Sequence, residues 1–164
     1  MPTPNDVLVH SLTASQAMLN RYCQDLKPEE YLHRPCAGGN CTAWLIGHLI
    51  LTDRRALGRL GVTADLPPLP DGFEKRFARD PEAPRASDFG DVTILLPLFN
   101  KHRQLLTEAA RRAPAELLDK PVEQPHPMFG NVGEAVNYVS GAHVAMHAGQ
   151  ITIIRRSLGK PPLV

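Results

Sequence analysis

Cysteine is scarce in this chain of 164 residues: Cys23, Cys36 and Cys41 are an odd number, and no two form a C-x-x-C pair. A disulfide framework is therefore excluded as the main support of the fold, and reduced thiols in a cytoplasmic setting are expected. Excess charge of one sign is lacking too, since 18 Lys and Arg stand against 17 Asp and Glu for a net charge of +1. Without a basic field to follow a phosphate backbone, nucleic-acid binding is not expected. No apolar run approaches the roughly 18 residues that a membrane-spanning helix needs. The opening MPTPNDVLVHSL has no basic start followed by a long apolar run, so no secretory signal is expected. Period-two alternation is missing, as is any internal repeat, and the class is expected to be all-α.

What is present is an ordinary globular composition, 43% hydrophobic and 21% charged, at a length that suits one domain over 1–164. The 16 prolines gather mainly at 2–4, 28–35, 67–84, 114–127 and 161–162, leaving four stretches nearly free of them. Each is long enough for a substantial helix. The spacing predicts a first helix from a cap at Asn5 to about Gln24, with Leu8, Leu12, Ser15, Leu19 and Tyr22 inward. One short turn is expected around Pro28–Leu32. A second helix should start near Thr42, capped by Asn40 or Thr42, and end at Gly61. Its inward stripe would be Leu45, His48, Leu49, Thr52 and Ala56, with Arg54, Arg55 and Arg59 mostly outward. The third helix spans Asp91–Arg112, with Leu95, Leu98, His102, Leu105, Leu106 and Ala109 on its apolar face and Pro97 distorting its first turn. The fourth is capped by Asn131, with Glu134 completing an approximate capping box, and runs past Arg155 and Arg156 to Gly159 and Pro161. Its inward face is Val136, Ser140, His143, His147, Gln150 or Ile151, and Ile154. Residues 62–90, polar and proline-rich, read as a long crossover between the second and third helices of a four-helix bundle, because adjacent antiparallel helices need only short loops.

His143 and His147, in HVAMHAGQ, stand one turn apart on one helix face. A buried imidazole without a partner is costly, so each ring needs a hydrogen bond or a metal. His48, inside TAWLIGHLI, sits on a similarly apolar face of the second helix. Three neutral imidazoles from two facing helices can make one face of a zinc or nickel site with coordination positions left open. The spacing alone leaves a second reading open, in which each is a core histidine satisfied by hydrogen bonds. The pair is not an H-E-x-x-H motif, because Val144 and Ala145 follow His143. No general base is built into that helix, and peptidase chemistry is not expected.

TAWLIGHLI together with the downstream HVAMHAGQITIIRRSLGKPP resembles the DinB/YfiT-like superfamily of bacterial four-helix proteins. The shared pattern includes Trp44 and Gly47 around the first histidine, Gly149 and Gln150 after the third, and the closing Leu158 to Pro162. The resemblance implies a four-helix architecture over almost the whole chain and a divalent metal held by His48, His143 and His147. Zinc or nickel is expected first, manganese or iron next. Characterised branches of this superfamily include thiol transferases that use bacillithiol or mycothiol and a mycothiol-dependent isomerase, while others resemble metal-dependent hydrolases. The implied partners are a small-molecule electrophile and a low-molecular-weight thiol, and the resemblance also suggests a homodimer paired through bundle faces.

The working expectation is a metal-dependent transferase that activates such a thiol at the three-histidine site. The alternatives are a metal-dependent hydrolase using metal-bound water and a non-catalytic metal- or ligand-binding protein. His102 could approach the metal or hydrogen-bond within the core, and the core role is expected. Gln150 could orient water or substrate, or serve as a cap or core polar group. His126 is read as lying in a connecting loop, with His10 and His33 in solvent. Cys36 and Cys41 flank a glycine-rich loop leading to His48, but a thiol ligand from either is not expected. Arg54 and Arg55 could attract an anionic substrate; solvated surface arginines are the default. No carboxylate stands in an obvious position to act as a base.

Overall fold

The computed structural model describes residues 1–78 and 85–163. Its helices are α1 (Pro4–Cys23), α2 (Thr42–Arg59), α3 (Phe73–Phe77), α4 (Leu95–Arg112), α5 (Ala115–Leu118), α6 (Val132–Ser140) and α7 (Ala142–Ser157). Between α5 and α6 lies a small antiparallel hairpin of β1 (Pro121–His126) and β2 (Phe129–Asn131), with Pro121 opposite Asn131 and His126 opposite Phe129. The hairpin is a small addition to a chain that is otherwise helical, as expected of an all-α bundle. Its prolines and short arms hide any alternation a reader of the sequence could use.

Four long segments form the bundle: α1, α2, α4 and the pair α6–α7. Helix α4 packs along both α1 and α2, and α6–α7 closes the other side against the same two helices. Opposed contacts give the directions. Asn5 meets Ala110 while Asn20 meets Asn100, so α1 and α4 are antiparallel. On α2, Leu49 belongs to the same apolar cluster as Phe99, whereas Leu57 belongs with Leu106, so α2 and α4 are parallel neighbours. A chain leaving α2 must therefore travel the length of the molecule before α4 can start. That is the physical need for the long crossover expected from the sequence. The crossover carries α3 and a 3-10 turn at Ala86–Phe89, whose Phe73, Phe77 and Phe89 are buried. Its residues 79–84 lie outside the described residues.

Helix ends follow local chemistry with some corrections. The cap of α1 is Thr3, not Asn5: Asp6 N donates to Thr3 Oγ1 at 3.2 Å and Thr3 N to Asp6 Oδ2 at 2.8 Å. Asn5 instead donates through Nδ2 to Ala110 O at 2.7 Å and Ala113 O at 2.9 Å, satisfying carbonyls at the end of α4. Helix α2 starts after Cys41 without a side-chain cap. It stops where expected: Gly61 is left-handed at φ +80°, and Val62 N donates back to Leu57 O at 2.9 Å. A separate 3-10 turn, Val92–Ile94, precedes α4, so the α-helix starts at Leu95, two residues before Pro97, and not at Asp91. Asn131 caps α6, accepting from Glu134 N at 2.8 Å, while Glu134 Oε2 reaches Gly130 N rather than the N–H of Asn131.

The expected fourth helix is two helices. At Gly141 the backbone leaves helical geometry (φ −111°, ψ −85°), and α7 begins at the next residue. The apolar face of α4 is also turned from the expected one. Phe99, Arg103 and Ala110 are buried with Leu95, His102 and Leu106, whereas Leu98, Leu105 and Ala109 are only half-buried. Helix α2 has no simple stripe: every residue from Thr42 to Leu51 is buried, because α3 and the crossover cover the face that would otherwise meet water.

Candidate metal centre

Helix α2 brings His48 to the inside of the bundle, and α7 brings His143 and His147 to meet it. All three rings are buried, and one nitrogen from each lies within 4.8 Å of the others. His143 Nε2 and His147 Nε2 are 3.1 Å apart. Two zinc ligands at bond lengths of about 2.05 Å in tetrahedral geometry sit about 3.3 Å apart, so this spacing suits two donors to one ion. The ring of His48 is steeply inclined to both others, at 69° to His143 and 80° to His147. The rings are thus grouped edge to face and not stacked. Three imidazole donors of borderline softness fit zinc or nickel better than a hard cation such as magnesium. Cys41 is wholly buried but lies outside this group, and Cys36 is exposed on the surface, so neither thiol joins it.

Neighbouring residues fix these rings. Trp44, one turn before His48, stacks on it at 4.9 Å between centroids and 7° between planes. Gly47, next to His48, leaves room for the crossover: a Cβ there would come within 2.2 Å of Phe77 Cδ1. The glycine beside the first histidine therefore lets the crossover's aromatic ring seat directly on α2. His147 Nδ1 is 2.8 Å from Gln150 Oε1. A carbonyl oxygen only accepts, so Nδ1 carries the hydrogen and Nε2 presents its lone pair to the group. Gln150, considered from the sequence as an orienter of water or substrate, a cap or a core polar group, thus bonds one of the rings instead. His143 is stacked against Tyr138 from the preceding helix, with centroids 5.5 Å apart.

His102 belongs elsewhere. Its Nε2 is 3.1 Å from Arg54 Nη1, and its Nδ1 is 2.9 Å from Leu98 O. Arginine can only donate, so Nε2 accepts and Nδ1–H donates to the carbonyl. Burial first, and then the Arg54 charge, push its pKa down despite the hydrogen bond to Leu98. Arg54 also donates to Pro67 O at 2.8 Å, so it is a half-buried clip between α2 and the crossover, not an outward-facing anion attractor. Arg155, in the last turn of α7, is buried and ion-pairs with Asp25 just past the end of α1. His33 hydrogen-bonds Ser157 Oγ at 2.9 Å, while His10 is exposed.

From the histidine group a pocket of about 420 Å³ opens toward solvent. His48 and His143 form its floor; Thr52, Arg55 and Arg59 continue up α2; Ala78, His126, Phe129, Tyr138 and Val139 complete the walls. His126 is therefore not in a plain connecting loop, although it is exposed. It lies in β1, stacked on Phe129 at 3.9 Å and 9°. The crossover and the 120–130 region both contribute to the pocket. Among the described residues lining it there is no carboxylate.

Arg55, Arg59, Phe129 and Tyr138 were not singled out as parts of a site by sequence reasoning, apart from the general charge of Arg55. The two arginines had a readable signal: they stand seven and eleven residues after His48, on the same stripe of α2. The aromatic pair had none, since its place depends on the hairpin and on the break at Gly141.

No curated protein and no solved structure matches the chain. A family model described as DinB superfamily matches residues 11–151, a span that includes His48, His143 and His147. With most of its length matched in this way, the chain belongs to the DinB superfamily.

Proposed function

We propose that the protein is a metal-dependent transferase that activates a low-molecular-weight thiol toward a small electrophile, with His48, His143 and His147 as the metal ligands. One observation carries the reading: three buried imidazoles converge, two of them at the floor of an open pocket that no carboxylate lines among the described residues. A divalent ion held there, zinc or nickel in preference to manganese or iron, supplies Lewis acidity that favours the deprotonated form of a thiol. The protein's own residues do the remaining work. Trp44 and Tyr138 fix two ring planes by stacking, and Gln150 fixes the tautomer of the third ring. The aromatic wall of His126, Phe129 and Tyr138 gives an electrophile an apolar surface to lie on.

Hydrolysis at the same ligands is the competing reading. The lining favours the thiol. Water activation gains much from a carboxylate base at hydrogen-bond distance, whereas a thiol starts far closer to neutral pKa and needs less help. The test is elemental analysis of untagged protein beside His48→Ala and His143→Ala, followed by a screen of electrophiles with and without added thiol. Near-stoichiometric metal in the parent, lost in both variants, with turnover only when thiol is present, is the expected result. Turnover without thiol selects the hydrolase. Metal that binds and raises the melting temperature without any turnover selects a binding protein, and failure to take up zinc, nickel or manganese returns the histidines to the core.

A further inference from the structure

Arg55 and Arg59 border the pocket together, one turn apart, and among the described residues neither forms an ion pair. Arg59 is half-buried, with its guanidinium over the ring of Phe129 at 5.3 Å from the centroid. Burial first, and repulsion from Arg55 second, lower its pKa, which is the mark of a cation short of a counter-charge. A second recess of about 410 Å³ lies on the far side of the same two arginines. Among the described residues bordering the two recesses Glu123 is the single carboxylate, and it forms no ion pair with either arginine. The pair therefore offers two adjacent guanidinium forks, one of them over an aromatic ring, with no carboxylate ion-paired to either among the described residues. Two such forks match the oxygens of a carboxylate or phosphate.

We infer that Arg55 and Arg59 form an anion subsite at the outer end of the pocket, which holds the carboxylate or phosphate of an elongated organic acid whose other end reaches the histidine group. The inference rests on the functional reading above and deepens it by naming the substrate class. A rise of 1.5 Å per residue sets Arg55 about 10 Å and Arg59 about 16 Å along α2 from His48. The anionic group consequently lies several bonds from the reacting atom. A pocket in the range of about 300–1,000 Å³ accommodates such a molecule.

The test is calorimetric titration of glutarate and of inorganic phosphate into the full chain, first freed of metal with a chelator and then loaded with zinc. The parent is compared with Arg55→Gln/Arg59→Gln and with Arg55→Lys/Arg59→Lys. The expected result is binding of at least one anion to the metal-free parent, weakened by salt and about tenfold or more weaker in the glutamine variant. Metal content and melting temperature stay unchanged in that variant, and lysine restores part of the binding. Equal affinity in parent and glutamine variant overturns the inference, as does absence of binding by the metal-free parent. Binding that requires zinc and survives the glutamine substitutions also overturns it, because the anion then sits at the histidines. Metal content is measured separately, so a chain that takes up no metal defeats the transferase reading and leaves this titration interpretable.

Discussion

Arg103 Nη2 donates to Asp53 Oδ1 at 2.8 Å, and both side chains are completely buried. The pair lies between the two apolar clusters of the bundle, with Phe99 and Leu106 on α4 and Ile50 and Leu57 on α2 belonging to opposite sides. Desolvation is the largest influence on both partners, so the attraction between them mainly offsets the cost of burial. Asp53→Ala leaves an uncompensated guanidinium and should cost about 3–5 kcal/mol in urea denaturation. Asp53→Leu with Arg103→Met should recover most of that loss; a double variant as unstable as the single one would show that the pair contributes much more than mutual neutralisation. His102 gives a different readout. Its folded pKa is held below the ordinary value, so between the two values the unfolded chain binds more protons. Stability from this group is complete above about pH 6.5 and is lost as pH falls through that window toward the lower folded value. The melting temperature of the parent should therefore drop more steeply from pH 7 to pH 5 than that of His102→Gln, and parallel slopes would contradict the neutral assignment.

Among the elements, α3 is short but holds the crossover to the helix bearing His48. Its Phe77 fills the space that a side chain at position 47 would take. Gly47→Ala should destabilise the chain by about 1–3 kcal/mol through overpacking, although alanine is otherwise the better helix former. Gly58→Ala, in the same helix with nothing within 4 Å of the added carbon, should stabilise by up to about 1 kcal/mol. Opposite signs in chemical denaturation would isolate the contact with Phe77 from helix propensity. The same residues show what sequence could reveal. Four long helical segments, their proline-marked connections and the three histidines were legible because proline spacing and one-turn repetition act locally. The break at Gly141, the hairpin and the rotated face of α4 were not. Each is decided by packing between segments remote in sequence, as when Arg103 turns inward to meet Asp53. The proposed arginine stripe lies between these cases: its spacing was visible, but the ring of Phe129 that covers it was not.

For the whole molecule, the proposed ligands come from both α2 and α7, which would make metal binding inseparable from the folded state, since the unfolded chain holds no assembled site. Metal at about a hundred times its dissociation constant should add about 2.7 kcal/mol. For a domain of this size that raises the melting temperature by roughly 5–10 °C. A chelator should reverse the shift, and His143→Ala should abolish it; an equal shift in the variant would place the ion elsewhere. The parallel arrangement of α2 and α4 has a kinetic consequence. Before His48 can face α7, the chain must make a full return along the bundle and then lay down α4 and the hairpin. Few of the contacts that assemble the three rings are local, so a transition state built on local helix pairs contains little of the site. An ion would then lengthen the lifetime of the finished fold by slowing its unfolding, while leaving the rate at which the fold is reached almost unchanged.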